Sequence, residues 1–321
     1  MNILFILGNG FDINLGLHTG YQDFYEYYLK QPTKDPVIAR LKEYLEKERY
    51  TTWADLEIGL GSYTLEVENI DQLRTVYYDL GDKLREFLKK EEKSFSATDK
   101  VLDAITMGLV EPHSFLPLGM KDSISAYKNN HHPFQLDIIS FNYTDTLEKI
   151  FQLLPRTNSS IQLSNQTFLR TIRHIHMRLD DDDIIMGVND ESQILNKGII
   201  NDELRGLIVK PYINKELQNL IDIECIKLIR NADLICLFGV SLGKTDLLWW
   251  QTIGDRFQKA PIRILLFAYD KGAITRNSER IFKYAECKSL LLDRMGIAKP
   301  TDEQRARIYV GYKTSIFKAK Q

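Results

Sequence analysis

Cysteine is scarce in this sequence of 321 residues: there are three, Cys225, Cys236 and Cys287, far apart and without a Cys-x-x-Cys pair. That excludes a disulfide-stapled scaffold and a four-cysteine zinc module. Cys225 and Cys236 lie in apolar segments and read as small core residues in a reducing compartment. Long apolar runs are missing as well. No stretch reaches the roughly eighteen uncharged apolar residues of a membrane-spanning helix. The amino end has neither a basic region nor an apolar run long enough for a signal peptide, so the expectation is a cytoplasmic protein with no membrane partner. Charge of one sign is also lacking. The net charge of −2 gives no overall attraction to nucleic acid, which leaves only a local basic patch open. There is no internal repeat and no low-complexity segment.

What the sequence does contain is a hydrophobic fraction of 44% and a charged fraction of 27%, the balance of a soluble globular protein with a sizeable core. The apolar run from Ile3 to Leu7 stops in Gly8-Asn9-Gly10-Phe11-Asp12. An unbroken run of this kind suits a parallel strand covered on both faces, and in open α/β sheets ligands bind at the carboxyl ends of such strands. Two glycines there allow backbone amides to approach a phosphate; the plainer reading is a tight turn. The dinucleotide frame is incomplete, since the next glycine is Gly16.

Thr19 and Gln22 fit a capping box, and Phe24, Tyr25, Tyr28 and Leu29 then recur as a buried helical stripe. Helical text fills most of residues 36–130: Val37 to Lys47, Trp53 to Leu60, and Asp71 to Lys90. Strand text resumes at Leu136 to Phe141, Thr171 to His176, Ile184 to Val188, Asp233 to Gly239 and Ile262 to Ala268, with helices at Asp145 to Leu154 and Leu217 to Arg230. The alternation predicts an α/β fold with a mainly parallel, Rossmann-like sheet and helices on both faces. On this reading residues 1–35 and 131–321 form a nucleotide-binding core and residues 36–130 a helical insertion, or cap. The acidic run Asp180 to Asp183 reads as an exposed turn.

Three further strand ends carry polar groups. After Ser140, Asn142 offers both donor and acceptor, and Asp145 either caps a helix or accepts from a ribose hydroxyl. Alternation places His174 and His176 on one face of a strand, with His176 as a general base of near-neutral pKa; a metal site is the lesser alternative. The loop from Gly239 to Asp246 offers Ser241, Lys244 and a helix start to an anion, but Gly239 and Gly243 are spaced wrongly for a P-loop. Asp55 and Glu57 receive no role from spacing alone.

Taken in order, the segments 8–12, 19–24 (Thr-Gly-Tyr-x-Asp-Phe), 53–57 (Trp-Ala-Asp-Leu-Glu), 140–146, 174–176 and 238–246 resemble the AbiH family of bacterial phage abortive-infection proteins, over residues 1 to about 253. That family is in turn similar to sirtuin-like domains of other phage-defence proteins. The resemblance implies Gly8, Asn9 and Gly10 at the phosphates followed by Asp12, Asn142 and Asp145 at the ribose, and His176 as the base; Ser241 and Asp246 of the 239–246 loop are further candidates for binding the ligand. It implies an NAD glycohydrolase-like hydrolase that needs no cofactor or metal. NAD or a related nucleotide would be substrate or ligand, a phage-derived trigger a partner, and a homo-oligomer an option. Met177 stands where the pattern has glycine. Two other readings stay open: a metal-dependent nuclease or nucleotide hydrolase using Asp55, Glu57 and Asp12, and a non-enzymatic nucleotide sensor.

Overall fold

The computed structural model describes residues 1–129, 133–154, 156–157, 160–181, 184–269 and 276–319. Its centre is one eight-stranded sheet in the order β3-β4-β5-β2-β1-β6-β7-β8. The strands are β1 (Asn2–Leu7), β2 (Phe134–Ser140), β3 (Arg156–Thr157), β4 (Ser160–Ser164), β5 (Thr167–His174), β6 (Leu234–Phe238), β7 (Arg263–Ala268) and β8 (Ile308–Tyr312). The six strands from β5 to β8 are parallel, while β4 pairs antiparallel with β5 and with β3. Strand β1 occupies the middle because every residue from Ile3 to Leu7 is buried, as a strand packed on both faces must be. Succession runs outward from β1 through β2 to β5, then crosses β1 to β6, so the strand order reverses about β1. That reversal is the usual ligand position in such sheets.

The helices are α1 (Gly10–Asn14), α2 (Tyr21–Leu29), α3 (Pro36–Glu48), α4 (Leu56–Tyr63), α5 (Ile70–Ser94), α6 (Asp99–Val110), α7 (Leu118–Asn129), α8 (Thr146–Phe151), α9 (Asp202–Ile208), α10 (Lys210–Glu216), α11 (Ile221–Asn231), α12 (Leu247–Lys259), α13 (Asn277–Arg294) and α14 (Asp302–Ala306). Leu102, Ile105 and Leu109 of α6 and Ile124 of α7 pack with Ile3, Phe5 and Leu7 on one face of the sheet. Helices α11, α12 and α13 cover the other face through Cys225, Ile229, Trp250, Phe257 and Leu291. A third apolar cluster joins α2 through α5 to the chain between Leu179 and Val209. Packing therefore divides the chain differently from the expected 36–130 insertion. Residues 99–129 belong to a sheet face, and the cap takes in α2 and residues 179–181 and 184–209.

Other departures have physical causes. Ile184 to Val188 forms no strand: Ile184, Met186 and Val188 enter the cap's core, and only Val188 makes a bridge, to Val209. Strand β5 ends at His174, so His176 lies in a turn. Thr19 caps nothing; Gly20 is the N-cap of α2, and the Thr19 hydroxyl donates to Asn9 Oδ1. Asp180 pairs with Lys89, whereas Asp182 and Asp183 lie outside the described residues. Strands β3, β4 and β8 carried no sequence signal. Past β8, Phe317 is buried with its ring 5.5 Å from Phe11 and 4.9 Å from Phe238. Cys225 and Cys236 are buried, as core residues should be. Among the described residues no helix is long and apolar enough to cross a membrane.

Candidate functional site

The loops after β1 and β6 meet main chain to main chain. Gly8 N donates to Phe238 O at 3.0 Å, and Gly10 N to Gly239 O at 2.9 Å. A Cβ on Gly10 would lie 2.5 Å from Gly239 Cα, and one on Gly8 2.6 Å from Gly239 O. These glycines are thus required by contact between two loops, and their amides are already spent. The expected display of the Gly8 and Gly10 amides to a phosphate is absent from this arrangement. Asn9 is likewise committed, its Nδ2 donating to Thr19 O at 2.8 Å.

Beside this knot lies a buried polar group. Thr144 Oγ1 donates to Asp12 Oδ2 at 2.5 Å, and Thr146 Oγ1 donates to Thr144 Oγ1 at 3.1 Å. Burial pushes the Asp12 carboxyl up to about 6, against the opposing influence of the Thr144 hydrogen bond and of the polar Thr146 and Asn142 side chains. Among the described residues, Asp12 Oδ1 and Asn142 Oδ1 are both buried without a partner. An orphaned buried acceptor costs about 1–3 kcal/mol, so the pair marks a place where a ligand's donors would be gained rather than exchanged.

Asn142 also touches His174. The His174 Nδ1 lies 2.9 Å from Asn142 O and its Nε2 2.9 Å from Glu148 Oε1. A carbonyl only accepts, so Nδ1 carries a proton; with Glu148 ionised, Nε2 carries one too. Burial alone would lower the imidazole, but the Glu148 hydrogen bond and charge outweigh it and raise the pKa above its ordinary value. Ligand atoms of Asp145, Glu148 and His174 come within 4.8 Å of one another, the geometry of a small cation site. Both nitrogens of His174 are already engaged, and the imidazolium supplies the positive charge. Asp145 accepts from Arg178 at 3.3 Å, and its side chain caps no helix.

His176 faces a second group. Its ring lies 5.8 Å from Phe141 and 5.7 Å from Tyr143. Its Nε2 lies 3.7 Å from Asp246 Oδ1, and among the described residues Nδ1 is buried without a partner. Burial, then the Lys210 charge, push it down to about 3. His176 is therefore an uncharged imidazole, not the base of near-neutral pKa expected from sequence. Lys210 Nζ donates to Glu57 Oε2 at 2.7 Å and to Asp246 Oδ1 at 2.9 Å. Burial opposes its charge, but Asp246 and Glu57 keep it an ammonium. Burial raises the Glu57 carboxyl, against the Lys210 ammonium that donates to it. Asp55 accepts from the amides of Glu57 and Ile58 as the N-cap of α4, and burial raises it as well. Gly187 N donates to Glu57 Oε1 at 3.3 Å. His176, Asn189, Lys210, Asn214, Asp222 and Trp249 line a small cavity of about 20 Å³, room for about one water.

The carboxyl ends of β1, β2, β5 and β6 thus gather most of the expected residues into two adjoining groups. Asp12 and Asn142 meet in one. His176 and Asp246 meet in the other, with Asp55 and Glu57, whose role sequence left open. Ser241 is exposed on the β6 loop. Sequence reasoning missed Lys210, which lies in no motif, and the pairing of His174 with Glu148. The residue after His176, Met177, has φ of 65°, a conformation glycine enters freely and other residues do not.

Residues 4–268 match a family described as Bacteriophage abortive infection AbiH. No curated protein matches the chain.

Proposed function

This chain belongs to the AbiH family of bacteriophage abortive infection proteins, and we propose that in that role it binds NAD or a related nucleotide and cleaves its N-glycosidic bond. One observation carries the reading: the unpartnered oxygens of Asp12 and Asn142 lie at the carboxyl ends of neighbouring central strands, where the strand order reverses. Sugar hydroxyls are the donors such a pair lacks. As the bond from C1′ to the base nitrogen breaks, its electron pair leaves with the base and positive charge gathers on the sugar. An Asp12 carboxylate, ionised above about 6, stabilises that charge and accepts the proton of the attacking water, whose oxygen bonds to C1′. The neutral His176 orients a hydroxyl or the water. With the Gly8 and Gly10 amides engaged, the phosphates fall to the exposed Ser241 and Lys244.

A metal-dependent nuclease fits less well, because Asp12 lies in a different group from Asp55 and Glu57, and the Lys210 ammonium stands between Glu57 and Asp246. Under the proposal a phage-derived trigger releases the activity.

The test is NAD measured by mass spectrometry during expression. Loss of NAD with the natural chain, and at least about a hundredfold slower loss with Asn142→Ala and with Asp12→Ala, is the expected result. Equal loss with both variants removes these residues from the site. Recovery of an intact bound nucleotide after long incubation favours a sensor instead.

A further inference from the structure

We propose that Lys210 is a positioning residue that shuts this site: its ammonium clamps Glu57 of the cap to Asp246 of the β6 loop and holds the cap closed over His176. The proposal rests on reading these strand ends as the reactive site. The three residues come from α4, from the start of α10 and from the loop before α12, so the clamp ties together segments far apart in the chain. Residues 187–189 are fastened alongside. Gly187 N reaches Glu57, Val188 bridges Val209, and Asn189 Oδ1 accepts from Leu248 N at 3.0 Å.

The space left beside His176 and Lys210 is about 20 Å³, where a nucleotide base would need hundreds. The orphaned atoms Asp12 Oδ1, Asn142 Oδ1 and His176 Nδ1 are what a site excluded from water and from ligand would contain. A clamp made of charges suits a cover that must lift. Separating apolar surfaces exposes them to water at a cost, whereas separating an ammonium from two carboxylates lets water hydrate all three.

The clamp also sets the state of His176. The groups facing that imidazole are Lys210 from α10, Asp246 from the β6 loop, His174 from β5 and the Tyr143 ring from the β2–α8 loop, with Glu57 one contact further. Lys210 and His174 oppose protonation, and Asp246 favours it. Without Lys210, Asp246 would act on His176 unopposed by the nearest cation.

The experiment compares the full chain, free of nucleotide, with Lys210→Met and Lys210→Arg. Amide exchange is followed by mass spectrometry and the His176 ring by NMR across pH. The expected result for Lys210→Met is exchange at least about tenfold faster in residues 56–63 and 184–200 with β1, β2 and β6 still protected, and a His176 titration moved upward. Lys210→Arg should restore both. Should Lys210→Met fail to fold, Glu57→Gln keeps the side chain's shape and one acceptor, and should give the same local pattern at smaller size. Unchanged exchange and titration in the folded variants, or exchange rising evenly over the whole sheet, overturns the clamp. NAD is absent throughout, so this failure is distinct from failure of the glycosidic reading.

Discussion

Asn219 donates its side-chain amide to the sulfur of Met177 at 3.4 Å, so a residue held in the left-handed region is tied to the corner between α10 and α11. Sulfur is a weak acceptor, and the contact offsets little of the backbone strain. Met177→Gly should raise stability by about 0.5 kcal/mol, the left-handed penalty less glycine's greater freedom when unfolded. A shift in the urea midpoint measures it. A lower midpoint would mean that the side-chain contacts of Met177 outweigh its strain.

The knot between the β1 and β6 loops makes a sharper demand. Gly10→Ala places a methyl 2.5 Å from Gly239 Cα, main chain that has no rotamer to change. The expected loss is about 3 kcal/mol or more, in the range reserved for overpacking. Gly119→Ala is the control: nothing lies within 4 Å of a Cβ there, and the residue is inside α7, so it should be neutral or slightly stabilising. Equal effects of the two changes in chemical denaturation would contradict the close approach.

Asp12 makes stability depend on pH in a direction opposite to a paired carboxylate. Its carboxyl rises from 3.8 to about 6 on folding, so between those values the folded chain holds a proton that the unfolded chain has released. Stability from this group falls as pH climbs from about 4 to about 6 and stays reduced above. Asp12→Asn keeps an acceptor for Thr144 and removes the titration. It should stabilise the fold by about 2 kcal/mol at pH 7.5, with the advantage vanishing near pH 3.5. Denaturation of both proteins across that range decides it, and a pH-independent difference would count against the buried carboxyl.

The parallel core was legible because its strands are apolar on both faces: β1, β2, β6 and β7 stand close to where unbroken hydrophobic runs placed them. Strand β8 was not, since its Ile-Tyr-Val-Gly-Tyr is short and follows charged helical text. Ile184 to Val188 misled for the reverse reason: apolarity there serves the cap, and burial alone does not specify pairing. Within the site, Asn142 and His176 stood out as polar residues where apolar strands run out. Lys210 did not, because a lysine opening a helix beside proline looks like any exposed one. Only the third dimension supplies the two carboxylates that make it a buried cation. Gly8 and Gly10 were visible, but the sequence could not distinguish a loop that receives a phosphate from one that receives another loop.

Phe317 wedges against Phe11 and Phe238, directly beneath the turn that carries Asp12, although it lies well past the stretch matched by the family. A version trimmed to residues 4–268 for expression would therefore lose the keystone under its own most demanding bend. What looks like a dispensable tail is part of the foundation, and truncation libraries should spare it.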